Sequence, residues 1–300
     1  MVAKLAAAAG KTAAPVLAPS PDRDLPGDTV EIPVRLCNLP PLNAIANQVI
    51  ALSANADLDI GQISTVMEGD PAFAADLLFL ANSSLFCLRS RIQTVRHAIT
   101  VLGLERIKSI AVTAAMRSFL TKGGPSLPRC WRHSAACAII AEEISPILDV
   151  RRDVAYTLGL MHDIGRLGLL KTYPGEYAPV FDNTFQNVEE VLWTERTLLK
   201  VDHSQAGAWM VKTWDFPEVF VQICQHHHEP IASSDSGLLQ TVKLSCRLAE
   251  AIGHSAINFA DLAAYDDLIR LLPPHLAHKR FPSGAEMCTT VEARLKSFAC

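Results

Sequence analysis

Residues 156–167 read YTLGLMHDIGRL, an apolar helical run that ends in the adjacent pair His162 and Asp163. Neighbouring residues on a helix point about 100° apart, so these two side chains can share a ligand only at a helix end, where the backbone changes direction. Gly165 is placed to supply that helix stop. Because an imidazole and a carboxylate suit Mn, Fe or Zn, and the carboxylate also suits Mg, the segment predicts a metal-binding pair. The alternative is a structural pair, in which His162 is hydrogen-bonded in the core and Asp163 caps or orients its neighbours.

Further histidines lie on other predicted helices, as a metal site inside a helix bundle requires. They are His133, His203 and the triplet 226–228. Three consecutive imidazoles cannot all face one metal, so only part of the triplet can join such a site, and a histidine at an exposed helix end is the plain alternative. Asp202 precedes His203, where it either fixes the tautomer of a nearby histidine or caps a helix.

The rest of the chain also has the helical period. Apolar residues follow that period from Leu39 to Leu120 and again from Trp131 to about Ile252, and few alternating β-branched runs occur. We therefore predict an all-α protein. Its predicted parts are a disordered Ala/Pro-rich tail (1–35), an N-terminal helical subdomain (36–122), a second helical subdomain (129–255) and a C-terminal helical extension (256–300).

The composition of the chain limits which classes of function are plausible. Hydrophobic residues make up 49% of the 300 positions, which is enough for a large core, and the net charge of −4 gives no broad basic surface for nucleic acid. A helix-turn-helix at Gly103 is the one DNA-binding alternative, but the apolar residues after it predict core packing. No apolar run is long enough to cross a membrane, and Lys11 interrupts the N-terminal alanines, which favours a tail over a signal peptide. Eight cysteines without a CxxC pair indicate reduced thiols and a cytoplasmic location.

The ordered set of these segments resembles the HD superfamily of metal-dependent phosphohydrolases. His133 followed by His162-Asp163 is similar to the HD signature, and His203 with His227-His228 resembles the extra ligands of HD-GYP cyclic-dinucleotide phosphodiesterases. The closer resemblance is to the HDOD group of bacterial signalling proteins, over about residues 36–255. The segments that carry it are Leu39–Leu42, Asp70-Pro71, Leu80–Ser83, Ala98–Gly103, Trp131–Ser134, Leu160–Gly165, Asp202-His203, Trp214–Pro217 and His227–Pro230.

The resemblance implies a multi-helix HD-domain-like bundle preceded by an N-terminal helical subdomain. It also implies a divalent ion, Fe, Mn, Zn or Mg, and a regulatory setting in which the partners are signalling proteins, without nucleic acid or membrane. The oligomeric state stays open. The ligand set that it implies is His133, His162, Asp163, His203, His227 and His228.

Two departures put that metal in doubt. Cys246 stands where the HD enzymes carry a closing Asp, and Arg166 replaces the usual Lys after the His-Asp pair. Loss of a carboxylate removes negative charge that would offset the metal, and Cys246 is then either a soft ligand or a small buried hydrophobe. We interpret the chain as a signalling module with a degenerate metal site that holds a metal or none. The alternative is an active phosphohydrolase on nucleotides or cyclic dinucleotides, in which Asp163 and Arg166 would act in catalysis.

Overall fold

The structure is a computed structural model that describes residues 32–42, 60–83, 90–120, 126–270 and 279–298, and the single positions 48, 86, 88, 272 and 276. Most of the predicted tail, and residues 123–125 between the two predicted helical subdomains, lie outside the described residues. Within the described ranges, no helix combines the length and the hydrophobicity that a membrane crossing needs.

The N-terminal half contains five described helices, which are α1 (Val34–Cys37), α2 (Ile60–Glu68), α3 (Pro71–Ala81), α4 (Val95–Leu102) and α5 (Leu104–Leu120). The side chain of Asp70 accepts hydrogen bonds from the first backbone N–H groups of α3. Pro71, the first residue of the helix, has no backbone N–H and so needs no such partner. Gly103 joins α4 to α5 with a φ of 82°, a conformation that favours glycine. Ile107 and Ile110 on α5 are buried in the core, as their apolar pattern predicts.

The second half begins at Leu127 and holds the predicted site. Its elements are α6 (Leu127–Ile144), α7 (Arg152–Met161), α8 (Ile164–Thr172), α9 (Pro174–Tyr177), a 3-10 turn (Ala178–Asp182), β1 (Thr184–Phe185), α10 (Val188–Leu199), α11 (His203–Thr213), α12 (Glu218–His226), α13 (Gly237–Ala251), β2 (Asn258–Phe259), α14 (Tyr265–Arg270) and α15 (Gly284–Phe298). The strands pair in parallel over two residues each, Thr184 with Asn258 and Phe185 with Phe259. The prediction of an all-α protein is confirmed.

Helix α6 lies at the centre of this half and is buried along most of its length. Its middle turns carry small side chains, Ala135, Ala136, Cys137 and Ala138, which allow neighbouring helices to approach closely. Helices α7, α13 and α15 pack around it, while α8 packs on α11 and α11 on α12. This arrangement brings α6, the α7–α8 junction, α11, the end of α12 and α13 to one buried region.

One local prediction is wrong. Gly165 does not stop a helix: α7 ends at Met161, and α8 starts at Ile164 and runs through Gly165. The glycine is needed because α11 crosses there. A Cβ on Gly165 would lie 1.9 Å from the backbone oxygen of His203 and 2.4 Å from the backbone nitrogen of Gly207.

Candidate functional site

The six side chains that the sequence singled out lie together in the second half. His133 projects from α6, His162 and Asp163 form the α7–α8 junction, His203 is the first residue of α11, and His227 and His228 follow α12. His228 is half-buried and the others are at most 3% exposed. Their rings form a chain of contacts, with centroids 5.3 Å apart for His133 and His162, 4.9 Å for His162 and His227, 5.5 Å for His203 and His227, and 4.9 Å for His203 and His228.

The three consecutive histidines 226–228 do not all face the same way, as expected for neighbouring residues at a helix end. His227 and His228 point inward, whereas His226 lies near the surface with Nδ1 2.7 Å from Oε1 of Glu229. Burial, together with the neighbouring imidazoles of His162 and His203, lowers the pKa of His227 to about 3. The ring of His227 is therefore neutral at physiological pH and keeps a lone pair for a ligand.

The first of two clusters joins His133 and His162 to two cysteines, Cys137 and Cys246. One donor atom from each of the four residues lies within 4.8 Å of every other. Nε2 of His133 is 3.6 Å from Sγ of Cys137 and 3.7 Å from Sγ of Cys246. A hydrogen bond with Cys137, aided by His133, lowers the pKa of the Cys246 thiol well below its ordinary value. Cys246 is therefore a polar member of this cluster, and not only a space-filling group.

The second cluster is an ion network around Arg166. Its Nε donates to Oδ2 of Asp163 at 2.9 Å, and its Nη1 donates to Oε1 of Glu195 at 3.1 Å and to the hydroxyl of Tyr177 at 3.2 Å. Nη2 lies 3.0 Å from Nε2 of His203. The guanidinium is 3% exposed and Glu195 is fully buried. A buried cation therefore lies among the predicted metal ligands.

The charges of this network support each other. Burial acts to raise the pKa of Asp163, but the Arg166 guanidinium holds it well below its usual range. Burial likewise opposes ionisation of Glu195, whereas His203 and Arg166 lower the pKa of that carboxyl. Both carboxylates are therefore ionised, and the guanidinium offsets one of the two negative charges.

The tautomer of His203 follows from its neighbours. A guanidinium only donates hydrogen bonds, so Nε2 of His203 accepts from Arg166 and its Nδ1 carries the proton. That Nδ1 lies 2.6 Å from Oε2 of Glu195, which also accepts from the backbone N–H of His203. Asp202 instead caps α11 in a reciprocal capping box with Gln205. Of the two roles open to Asp202, the structure supports the cap.

The sequence did not single out Cys137, Glu195 or Tyr177. The spacing of His133 and Cys137 by one helical turn was a usable signal, because residues four apart share a helix face. Nothing comparable marks Glu195, which lies in α10 with two other glutamates near its start, Glu189 and Glu190. Only the fold shows which glutamate faces the core.

Three buried atoms of the site have no hydrogen-bond partner among the described residues: Nε2 of His162, Oδ1 of Asp163 and Nε2 of His227. Buried polar atoms without partners are uncommon in native proteins, so these atoms indicate that the site accepts a ligand. The donor set does not fit two oxygen-preferring metal ions of the kind that a phosphohydrolase would use. Cys246 supplies no carboxylate, and the Arg166 cation already contacts Asp163 and His203. Among the described residues, two groups have donor atoms within 4.8 Å of one another: His133, Cys137, His162 and Cys246, and separately His203, His227 and His228. The first group fits a metal ion better, because the Arg166 cation already contacts His203 in the second.

Residues 39–230 match the sequence profile of the HDOD domain. The chain belongs to the HDOD domain family. Cys246, which completes the cysteine cluster, lies beyond the matched range. The family assignment made from the ordered segments is thereby confirmed.

Relatives of this HDOD protein share its fold at low identity. An HDOD domain protein of unknown function from Geobacter sulfurreducens is 20% identical with a TM-score of 0.67, over 87% of this chain and 92% of the other. A candidate phosphohydrolase from Shewanella amazonensis SB2B is 21% identical with a TM-score of 0.64, over 88% and 94%. A candidate signal transduction protein from Marinobacter aquaeolei VT8 is 19% identical with a TM-score of 0.65, over 90% and 63%. Such likenesses show the fold and do not assign an activity.

A curated relative, an uncharacterized protein of Treponema pallidum (strain Nichols), is 22% identical over 269 residues. The alignment covers 88% of this chain and 50% of the relative, so the chain spans about half the length of the curated relative that it matches.

Proposed function

We propose that this HDOD protein is a cytoplasmic bacterial signalling module that acts through protein partners and carries a degenerate HD-type metal site. The observation that carries the proposal is the buried guanidinium of Arg166. It contacts Asp163, Glu195 and His203. A metal ion bound to Asp163 and His203 would therefore lie next to a positive charge, where it needs negative charge.

The electrostatics of this network oppose metal-assisted hydrolysis. A catalytic metal activates water and polarises a phosphate, and it needs ligands whose charge offsets its own. Here one oxygen of Asp163 is committed to the ion pair with Arg166, and a thiol replaces the closing carboxylate. His133, His162 and Asp163 are each at most 3% exposed, so in this conformation a phosphate cannot reach their donor atoms.

The alternative function is an active metal-dependent phosphohydrolase. The partnerless atoms of His162, Asp163 and His227 favour it, since metal ligands have this property before the ion binds. A cavity of about 370 Å³ is lined in part by Arg129, Arg132 and His254, and the backbone oxygen of His254 contacts Nδ1 of His133. In this alternative His133, His162 and Asp163 would hold one metal, with His203 and His227 or His228 completing the site. The bound ion would supply an activated water.

A hydrolysis assay separates the two functions. We expect the purified protein to leave cyclic dinucleotides and nucleotides intact in the presence of Mn²⁺, Fe²⁺ or Mg²⁺. The reason is that the Arg166 guanidinium already supplies a positive charge beside Asp163 and excludes a metal cation there. Product formation would be followed by chromatography at several metal concentrations. The matched variant is Asp163→Asn, which keeps the shape of the side chain and removes its charge.

The comparison of wild type and variant decides the result. If wild-type protein hydrolyses a substrate and folded Asp163→Asn protein does not, the signalling proposal is wrong and the alternative stands. Equal background in both proteins, with matching circular dichroism spectra, supports a role that does not depend on catalysis.

A further inference from the structure

We propose that His133, Cys137, His162 and Cys246 form a closed tetrahedral site for one zinc ion. The four residues come from three separate parts of the second half. His133 and Cys137 lie one turn apart on α6, His162 lies at the α7–α8 junction, and Cys246 lies in the middle of α13. Their donor atoms all lie within 4.8 Å of one another, and all four residues are buried. The site adds two thiols to the histidine set and leaves out Asp163 and His203.

The spacing of the donor atoms agrees with zinc. A tetrahedral zinc ion with Zn–S bonds of about 2.3 Å and Zn–N bonds of about 2.0–2.1 Å holds its sulfur and nitrogen ligands about 3.6 Å apart. Nε2 of His133 is 3.6 Å from Sγ of Cys137 and 3.7 Å from Sγ of Cys246. Both contacts therefore have the length of an edge of the coordination tetrahedron.

The two imidazoles present the correct nitrogen. Nδ1 of His133 lies 2.8 Å from the backbone oxygen of His254, and Nδ1 of His162 lies 2.7 Å from that of Gly159. Since a carbonyl only accepts, both Nδ1 atoms carry the proton and both Nε2 lone pairs face the cluster. Zinc-binding histidines are commonly held in this way by a carbonyl or a carboxylate. Nε2 of His162 is buried and has no hydrogen-bond partner, which a zinc ion would supply.

The donor chemistry selects a soft ion. Thiolates favour zinc over Mg²⁺ or Mn²⁺, which prefer oxygen ligands. Two thiolates and two neutral imidazoles also balance the charge of Zn²⁺, so the closed site carries no net charge in the core. With four protein ligands it has no open position for water, which makes it a structural site. It would tie α6, the α7–α8 junction and α13 together.

Metal analysis of the full chain tests the site. We expect protein purified under reducing conditions with zinc supplied to retain one zinc per chain after gel filtration, as measured by mass spectrometry of the metal. Co²⁺ in place of zinc should give a thiolate charge-transfer band and the visible absorption of a tetrahedral ion. Cys137→Ser and Cys246→Ser should each weaken zinc binding at least about tenfold in competition with a chelator.

The matched control is Cys130→Ser, which changes another buried cysteine of α6 outside the cluster. It should retain zinc and the cobalt spectrum of the wild type. Zinc-free wild-type protein, or a Cys137→Ser variant that binds cobalt with an unchanged thiolate band, would contradict the site. Either failure leaves the signalling proposal standing, because that proposal is decided by hydrolysis and not by zinc content.

Discussion

Replacing Arg166 with methionine should lower the free energy of unfolding by about 3–5 kcal/mol, the cost of leaving a buried charge without its partner. The variant keeps most of the apolar volume but removes the cation that contacts Asp163 and Glu195. Both carboxylates are buried, so neither can turn to water for compensation. The measurement is urea unfolding at neutral pH, followed by circular dichroism and fitted with a common slope.

The matched control for this prediction is Arg270→Met. Arg270 also pairs with a carboxylate, that of Asp267, but the two side chains are 75% and 57% exposed. Exposed ion pairs contribute about 0–1 kcal/mol, so this variant should unfold close to the wild type. If Arg166→Met were as stable as Arg270→Met, the Arg166 network would not be a charged, buried unit.

Gly165→Ala should lower the free energy of unfolding by about 3 kcal/mol, the upper part of the usual cost of overpacking a core. The added methyl group would lie 1.9 Å from the backbone oxygen of His203 and 2.4 Å from the backbone nitrogen of Gly207. Both atoms belong to the backbone of α11, so no side chain can rotate away. Thermal and urea unfolding of the variant would measure the loss.

Gly175→Ala is the control for that substitution. Gly175 lies in α9, and a Cβ there meets no heavy atom within 4 Å. The change should be neutral or stabilise by up to about 1 kcal/mol, because alanine restricts the unfolded chain. Equal stability of the Gly165 and Gly175 variants would show that α8 and α11 are not in close contact.

The sequence predicted the helical architecture, because helical periodicity leaves a local signal, and the histidines that it singled out lie together in the structure. Helical periodicity and the few alternating runs indicated an all-α chain, and ordered segments such as 160–165 and 227–230 indicated the family. The prediction that only part of the 226–228 triplet faces inward also agrees with the structure. Each of these predictions depends on residues that are close in sequence.

The remaining features depend on contacts between distant segments. Gly165 was interpreted as a helix stop, since a close approach of α11 leaves no trace next to the glycine. The sequence leaves Cys246 open between a soft ligand and a small buried hydrophobe, because its neighbour Cys137 lies 109 positions earlier in the numbering. Glu195 was missed because its partners Arg166 and Tyr177 come from other elements. Charge pairing in a core is set by the fold, and a single sequence does not display it.

The central claim is that Arg166 holds the carboxylate of Asp163 in place of a catalytic metal. The most direct test is a crystal structure of the protein grown with excess Mn²⁺ and measured for the anomalous scattering of manganese. The account predicts no manganese peak at Asp163 and a guanidinium that still contacts both Asp163 and Glu195. A manganese ion bound to Asp163, with Arg166 withdrawn from the carboxylates, would contradict it.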